Sequence, residues 1–324
     1  MRKKILAAGW IVGIFLFAAV IYKIGPLNIW KNVKSLTVFN FLILLGLRLL
    51  YWIVRTSSWK LIFESTGEKS RLGHFLMARL AGYAISFLTP AAYIGGEPIR
   101  ILMVPNPNRR KTTASVIVDK TIEIIVLIFF LASGVILGTV KLAMPYTLKI
   151  IFISAVSAMT VLIFIVFMMQ KSGLLIGAVS VLEKLKLRIP FVEKRKEKLR
   201  ETDIYVSDFY KKHKKVFAAV ILINALVFMI WTIEIHLTLS FMGIDGVTFI
   251  KSFLIVSLGT VAFLIPAIPG ALGIYEVTYV AVFLLVGFEA HVALSLALLR
   301  RIITLFGVGA GLLGMIRRQT ARGL

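Results

Sequence analysis

Eleven ionisable side chains fall inside stretches that are otherwise apolar enough for lipid: Arg48, Arg79, Glu97, Arg100, Asp119, Lys120, Glu123, Glu234, Glu276, Arg300 and Arg301. Six are basic and five acidic. A charge near the centre of a bilayer costs at least about 2.5–3.5 kcal/mol on insertion scales unless it is paired or hydrated, so a set this large must line a shared polar interior. The basic excess suits a phosphate, whose oxygens match the planar fork of arginine. Arg300 is the deepest of these candidates, about ten residues into the apolar run 291–316, hence roughly 15 Å along a helix.

Glu276 closes an unusual string, "FLIPAIPGALGIYE" at 263–276. Pro266, Pro269 and Gly270 are expected to end a helix inside the membrane, because proline removes a donor and clashes with the preceding turn while glycine accepts positive φ. The freed backbone groups are tolerated only when buried in protein or facing a wet cavity. A helix restarting after Gly270 or Gly273 aims its amides and positive dipole end at that cavity, which favours an anion. A second string, "FLTPAAYIGGEPIR" at 87–100, has Phe, Leu, Pro and Ala at the same four offsets. Each string is followed by a helix with adjacent polar charges, Asp119-Lys120 and Arg300-Arg301. That pattern is expected of an inverted repeat whose interrupted helices meet near the midplane around a substrate site.

Plainer roles stand beside these. Glu97 and Arg100, spaced i,i+3, can pair with each other. Asp119, Lys120 and Glu123 can snorkel to a surface about 10 Å away. Glu234 and His236 come late in their helix, where interfacial placement is usual, and Arg300-Arg301 can clamp another helix's carboxylate. The spacings Gly134/Gly138 and Gly307/Gly311 read as close helix packing.

The elements that must position these groups follow from composition. Of 324 residues, 59% are hydrophobic and 16% charged, the balance of a chain lying mostly in a bilayer. Runs long enough to cross it, about 20 helical residues, lie near 5–22, 36–54, 113–140, 147–169, 216–243 and 291–316. The stretches 73–104 and 249–288 are apolar but interrupted. No barrel-type alternation is present, so the expected fold is an all-α integral membrane protein, one polytopic domain over 1–324, with about six full spans and two broken, re-entrant hairpins. Residues 36–140 and 216–316 form its two repeat-like halves. The opening "MRKKILAAGWIVGIFLFAAV" has the shape of a secretory signal but reads better as an uncleaved first span.

Charge sets the orientation. The stretch 171–215 carries 13 Lys/Arg against 6 Asp/Glu and contains amphipathic helical stretches, so it is expected on the cytoplasmic membrane surface. It reaches that side only if 73–104 dips in from the cytoplasm and returns. The stretch 249–288 then dips from outside, both termini are cytoplasmic, and 27 Lys/Arg lie inside against 6 outside.

Several classes are excluded or disfavoured. The net charge of +23 is spread over loops between spans, which argues for lipid headgroups rather than nucleic acid. With no cysteine there is no disulfide, thiolate metal site or cysteine nucleophile. His74, His213, His236 and His291 are scattered without ligand spacing, and no P-loop, dinucleotide fingerprint or nucleophile elbow occurs. No catalytic residue, metal or cofactor is expected.

Gly95-Gly96-Glu97-Pro98-Ile99-Arg100, the pair Asp119-Lys120, Pro269-Gly270-Ala271-Leu272-Gly273-Ile274-Tyr275-Glu276 and Arg300, in this order, resemble the membrane part of lysylphosphatidylglycerol synthetase over about 70–316. That flippase-like domain is also found alone. Two positions depart: Ala271 stands where the family usually has glycine, and Lys120 where arginine is commoner. The resemblance implies movement of lipid between leaflets, and no aminoacyl-transferase domain follows, so synthase activity is not expected. Substrate contacts are expected from Arg300, Arg301, Arg100, Glu97, Glu276, Gly270, Gly273, Arg79, Asp119 and Lys120. The reading is a cell-membrane translocase of an anionic phospholipid or lipid-linked phosphate, alone, as a homo-oligomer or beside a lipid-modifying enzyme. Two others stay open: a membrane enzyme using Glu97 or Glu276 on a lipid phosphate, and a non-catalytic partner of a lipid-modifying enzyme or glycosyltransferase.

Because the chain has no cysteine of its own, a single cysteine introduced at position 195 reports the topology. An impermeant thiol reagent is expected to label it only after the cells are opened. Labelling from outside intact cells contradicts the orientation.

Overall fold

The computed structural model describes residues 22, 27, 34–89, 95–105, 108–142, 144–184, 196–263 and 271–320. The expected span at 5–22, apart from Tyr22, and the helix breakers Pro90, Pro266, Pro269 and Gly270 lie outside the described residues. Among the described residues the chain is helical with no strand, as backbone groups in lipid demand. Five helices are long and apolar enough to cross a membrane: α1 (Val38–Glu64), α4 (Arg109–Lys141), α5 (Tyr146–Ser172), α8 (Lys214–Phe241) and α11 (Ala290–Thr320). Shorter apolar helices follow α1 and α8. They are α2 (Leu72–Leu88) with α3 (Glu97–Met103), and α9 (Phe249–Gly259) with α10 (Ile274–Val286). The basic stretch holds α6 (Leu174–Lys184) and α7 (Lys196–Lys212).

Local signals fix several starts. The Thr37 side chain accepts from the Asn40 amide, Asn108 from Arg110 and Lys111, and Thr248 from Lys251, each satisfying amides that a helix start leaves open. The expected end of α1 at residue 54 is too early. The helix runs on to Glu64 because Trp59, Ile62 and Phe63 bury into the bundle and Lys60 pairs with Glu64 one turn on. Arg55, just past the expected span 36–54, is therefore an interior helical residue.

Helices α1 and α8 pack antiparallel. Asn224 Nδ2 donates to Ser58 Oγ at 2.9 Å, Arg48 pairs with Glu234, and Leu44 shares a cluster with Leu237 and Phe241. The hairpin α2–α3 leaves the end of α1 and returns to it, since Phe75, Met103 and Val104 close one cluster with Trp59 and Phe63. The pair α9–α10 leaves the end of α8, and Lys251 lies 4.5 Å from the Phe288 ring, so its two ends also meet. Since α1 and α8 run in opposite directions, the two hairpins open at opposite ends of the bundle.

Each long helix after a hairpin crosses the molecule. α4 starts where Arg109 donates to the Ile101 and Val104 carbonyls, and further along its Gly134 meets Ser257 of α9. α11 packs on α10 and then on α2, where a β-carbon at Gly311 would lie 2.2 Å from the Leu80 carbonyl oxygen. Gly134 and Gly311 are thus close-packing sites, whereas a β-carbon at Gly307 would meet only ordinary contact, with Trp52 at 3.6 Å. The amphipathic α7 buries Val206, Phe209 and Tyr210 against the end where α4 starts, with Tyr210 5.0 Å from the Phe167 ring and Arg110 paired with Glu201.

Among the described glycines the closest helix approach is inside the first hairpin. The Gly96 amide donates to Ser86 Oγ at 2.8 Å, and a β-carbon at Gly96 would lie 1.8 Å from the Gly82 carbonyl oxygen. Gly96→Ala must separate α2 from α3, and overpacking of a tight core costs about 1–3 kcal/mol. Its unfolding midpoint in detergent is expected to fall clearly, while Gly46→Ala, with nothing within 4 Å, leaves it unchanged or raised. Equal midpoints for both variants contradict the packing described.

Candidate functional site

The charges assemble from hairpin and long helix in each half. In the first, Arg79 of α2 donates through Nη2 to both Asp119 oxygens, at 3.0 and 2.9 Å, and Arg100 of α3 donates to Asp119 Oδ2 at 2.6 Å. Arg100 also holds Glu97 at 2.7 Å. All three members of the Arg79–Asp119–Arg100 triad are at most 4% exposed. Both guanidiniums lie against the Trp59 ring, at 5.4 and 4.2 Å, so they are held by a counter-charge and an aromatic face together. One residue on, Lys120 reaches Glu123 at 3.3 Å and Glu97 at 3.9 Å, and Glu123 takes Arg55.

In the second half the polarity is reversed: the carboxylate sits on the hairpin and the arginine on the long helix. Glu276, fully buried, accepts from the Gly273 amide at 2.7 Å through Oε2 and from Arg301 Nε at 2.7 Å through Oε1, which also lies 2.6 Å from Arg301 Nη2 as an ion pair. One side chain thus caps α10 and clamps α11. Arg300, turned about 100° from Arg301 around the helix, points elsewhere. Its Nη1 lies 3.5 Å from the Tyr279 hydroxyl and its Cζ 4.9 Å from the Trp231 ring. Among the described residues no carboxylate lies within 4.0 Å of Arg300. Glu234 pairs through Oε1 with Arg48, while Glu234 Oε2 and Arg48 Nε are buried without a hydrogen-bond partner.

The first helix joins the two clusters. Arg48, Tyr51 and Arg55 share one face of α1, at i, i+3 and i+7. The Tyr51 ring lies 5.0 Å from the Arg48 guanidinium and 5.6 Å from that of Arg55, which also donates to the Tyr51 hydroxyl. A continuous run of charged and aromatic groups therefore connects Glu123 to Glu234.

Several sequence expectations look different in place. Arg100 belongs to the first cluster with Arg79, Asp119, Glu97 and Lys120, while Arg300, Arg301, Glu276 and Gly273 form the second. Gly270 lies outside the described residues. Asp119 is buried between two arginines inside the bundle, and Glu234 is buried against Arg48. Of the pair Arg300-Arg301, Arg301 is the clamp. The sequence reading missed Arg55, Tyr51, Trp59, Trp231 and Tyr279. A usable signal was present, since Tyr51, Trp231 and Tyr279 each stand three residues from an intramembrane charge, on the same helix face.

Against known proteins, residues 5–311 match the family described as the lysylphosphatidylglycerol synthase TM region. The chain belongs to this family. The match reaches further toward the amino terminus than the motifs alone, and it covers both hairpins and both charge clusters. A UPF0104 membrane protein of Pyrococcus horikoshii is 26% identical over 270 residues, 79% of this chain and 78% of its own length. A UPF0104 membrane protein of Methanothermobacter thermautotrophicus is 23% identical over 322 residues, 93% of this chain and 91% of its own. No solved structure matches the chain significantly. Both departures from the family pattern have visible consequences. Lys120 meets Glu97 and Glu123 as a point charge, and Ala271 has φ 48°, the left-handed region that favours glycine.

Asp119 neutralises two buried arginines at once. Asp119→Asn leaves them uncompensated, which for a broken buried pair costs about 3–5 kcal/mol. Asp208→Asn removes an exposed pair with Lys212, worth about 0–1 kcal/mol. Denaturant titration of the two purified variants is expected to separate them by at least a twofold difference in midpoint loss. Equal stability of Asp119→Asn and the wild type contradicts the assigned role.

Proposed function

We propose that this protein translocates an anionic phospholipid, or a lipid-linked phosphate intermediate, between leaflets, holding the phosphate at Arg300. The observation that carries the reading is the charge balance inside the bundle. Ten of the eleven intramembrane charges have an opposite charge within 4.0 Å, and Arg300 has none among the described residues. A guanidinium without a counter-charge attracts an anion by about 4 kcal/mol at contact with an effective dielectric near 20. The Tyr279 hydroxyl beside it offers a further donor, and the planar fork of Arg300 fits two phosphate oxygens.

Further support comes from the architecture. Residues 36–140 and 216–316 act in this reading as inverted halves, because their hairpins open at opposite ends of the bundle. The end where the first hairpin opens carries Arg109, Arg110, Lys111 and the basic α7, which favours a cytoplasmic position for it and for both termini. Arg79, Asp119, Arg100, Glu97 and Lys120 serve the headgroup on that side, and Gly273, Glu276 and Arg301 hold the second hairpin's start in place beside Arg300. Membership of a family linked to flippase-like lipid handling agrees with this reading.

The test is leaflet transfer of a headgroup-labelled anionic lipid in liposomes holding only the purified protein. Arg300→Lys keeps the charge and loses the fork, so transfer is expected to fall several-fold. Arg300→Gln loses both, and transfer is expected to fall more than about tenfold, the equivalent of 1.4 kcal/mol. Near-normal transfer by Arg300→Gln at equal reconstitution rejects the reading.

A further inference from the structure

We infer that Glu234 is the counter-ion onto which Arg300 falls back when the lipid phosphate leaves. The inference rests on the reading of Arg300 given above and names the residue that makes its binding reversible. A cation with no counter-charge beside it holds an anionic ligand as a trap, so release is fast only when another anion takes the ligand's place. The neighbouring carboxylates are committed. Glu276 spends one oxygen on the Gly273 amide and the other on Arg301. Asp119 is engaged by Arg79 and Arg100, and Glu123 by Arg55 and Lys120.

Glu234 differs from all of these. It is fully buried, yet its Oε2 is the one buried carboxylate oxygen without a hydrogen-bond partner among the described residues. Its neighbour Arg48 holds only Oε1. Arg300 lies over Trp231, one helical turn before Glu234 on the same face of α8, and Leu299 and Ile303 of α11 pack with Leu237 and Phe241 beyond it. A swing of the Arg300 side chain from Tyr279 along that face satisfies Oε2 and discharges the site at once. An acceptor that is costly to leave buried and a cation without a carboxylate are thereby two halves of one exchange.

Glu234→Gln keeps the shape of the side chain and an oxygen for Arg48 but removes the charge. Retention of a short-chain phosphatidylglycerol by the purified protein is expected to rise about tenfold, and leaflet transfer is expected to slow. A double-mutant cycle separates this from a structural effect. With Arg300→Gln in the background, Glu234→Gln is expected to change retention no further, because the partner it acts through is gone. Wild-type retention and transfer in Glu234→Gln overturn the inference, and so does an equal effect in the Arg300→Gln background. Normal transfer by Arg300→Gln alone rejects the reading of the site itself, a separate outcome.

Discussion

A charge enclosed among helices in a largely apolar chain persists only against a counter-charge, and the rest of this structure depends on how those counter-charges are supplied. Breaking a buried pair costs about 3–5 kcal/mol, of the order of a whole domain's net stability. The packing of the bundle therefore has to bring most of these carboxylates to an arginine on a different helix. Arg79 and Arg100 reach Asp119 from two arms of a hairpin, Arg301 reaches Glu276 across α10 and α11, and Arg48 reaches Glu234 across α1 and α8.

Small residues make those deliveries possible. Gly96 against Gly82 brings α3 close enough to α2 for Arg100 and Arg79 to share one carboxylate. Gly311 against Leu80 draws α11 onto α2, and Gly134 against Ser257 draws α4 onto α9, so each long helix ties its own hairpin to the other half. Electrostatics and sterics thus point the same way. The exception is Arg300, one residue from a fully engaged arginine and itself facing tyrosine and tryptophan.

Most of the architecture was legible in the sequence because membrane solvation is a strong and simple rule. Apolar runs of sufficient length gave α1, α4, α5, α8 and α11, and proline and glycine inside apolar runs marked both hairpins. The end of α1 was not legible, since Arg55 and Lys60 look like loop charges until Glu123 and Glu64 are seen to meet them. For the same reason Glu234 looked interfacial: its partner is 186 residues away, and long-range pairing leaves no trace in local pattern. The set of intramembrane charges was readable, but their division into two clusters joined by Arg48, Tyr51 and Arg55 required the fold. The family match agrees with the motifs and extends them over nearly the whole chain.

The central claim is that the charge missing around Arg300 is supplied by a lipid phosphate. Mass spectrometry of the intact protein, released gently from detergent, tests it most directly by weighing what stays bound. The account predicts about one phosphate-bearing anionic lipid per chain, retained by the wild type and by Arg301→Lys and lost from Arg300→Gln. Wild-type protein free of anionic lipid, or the same bound lipid in Arg300→Gln, contradicts it.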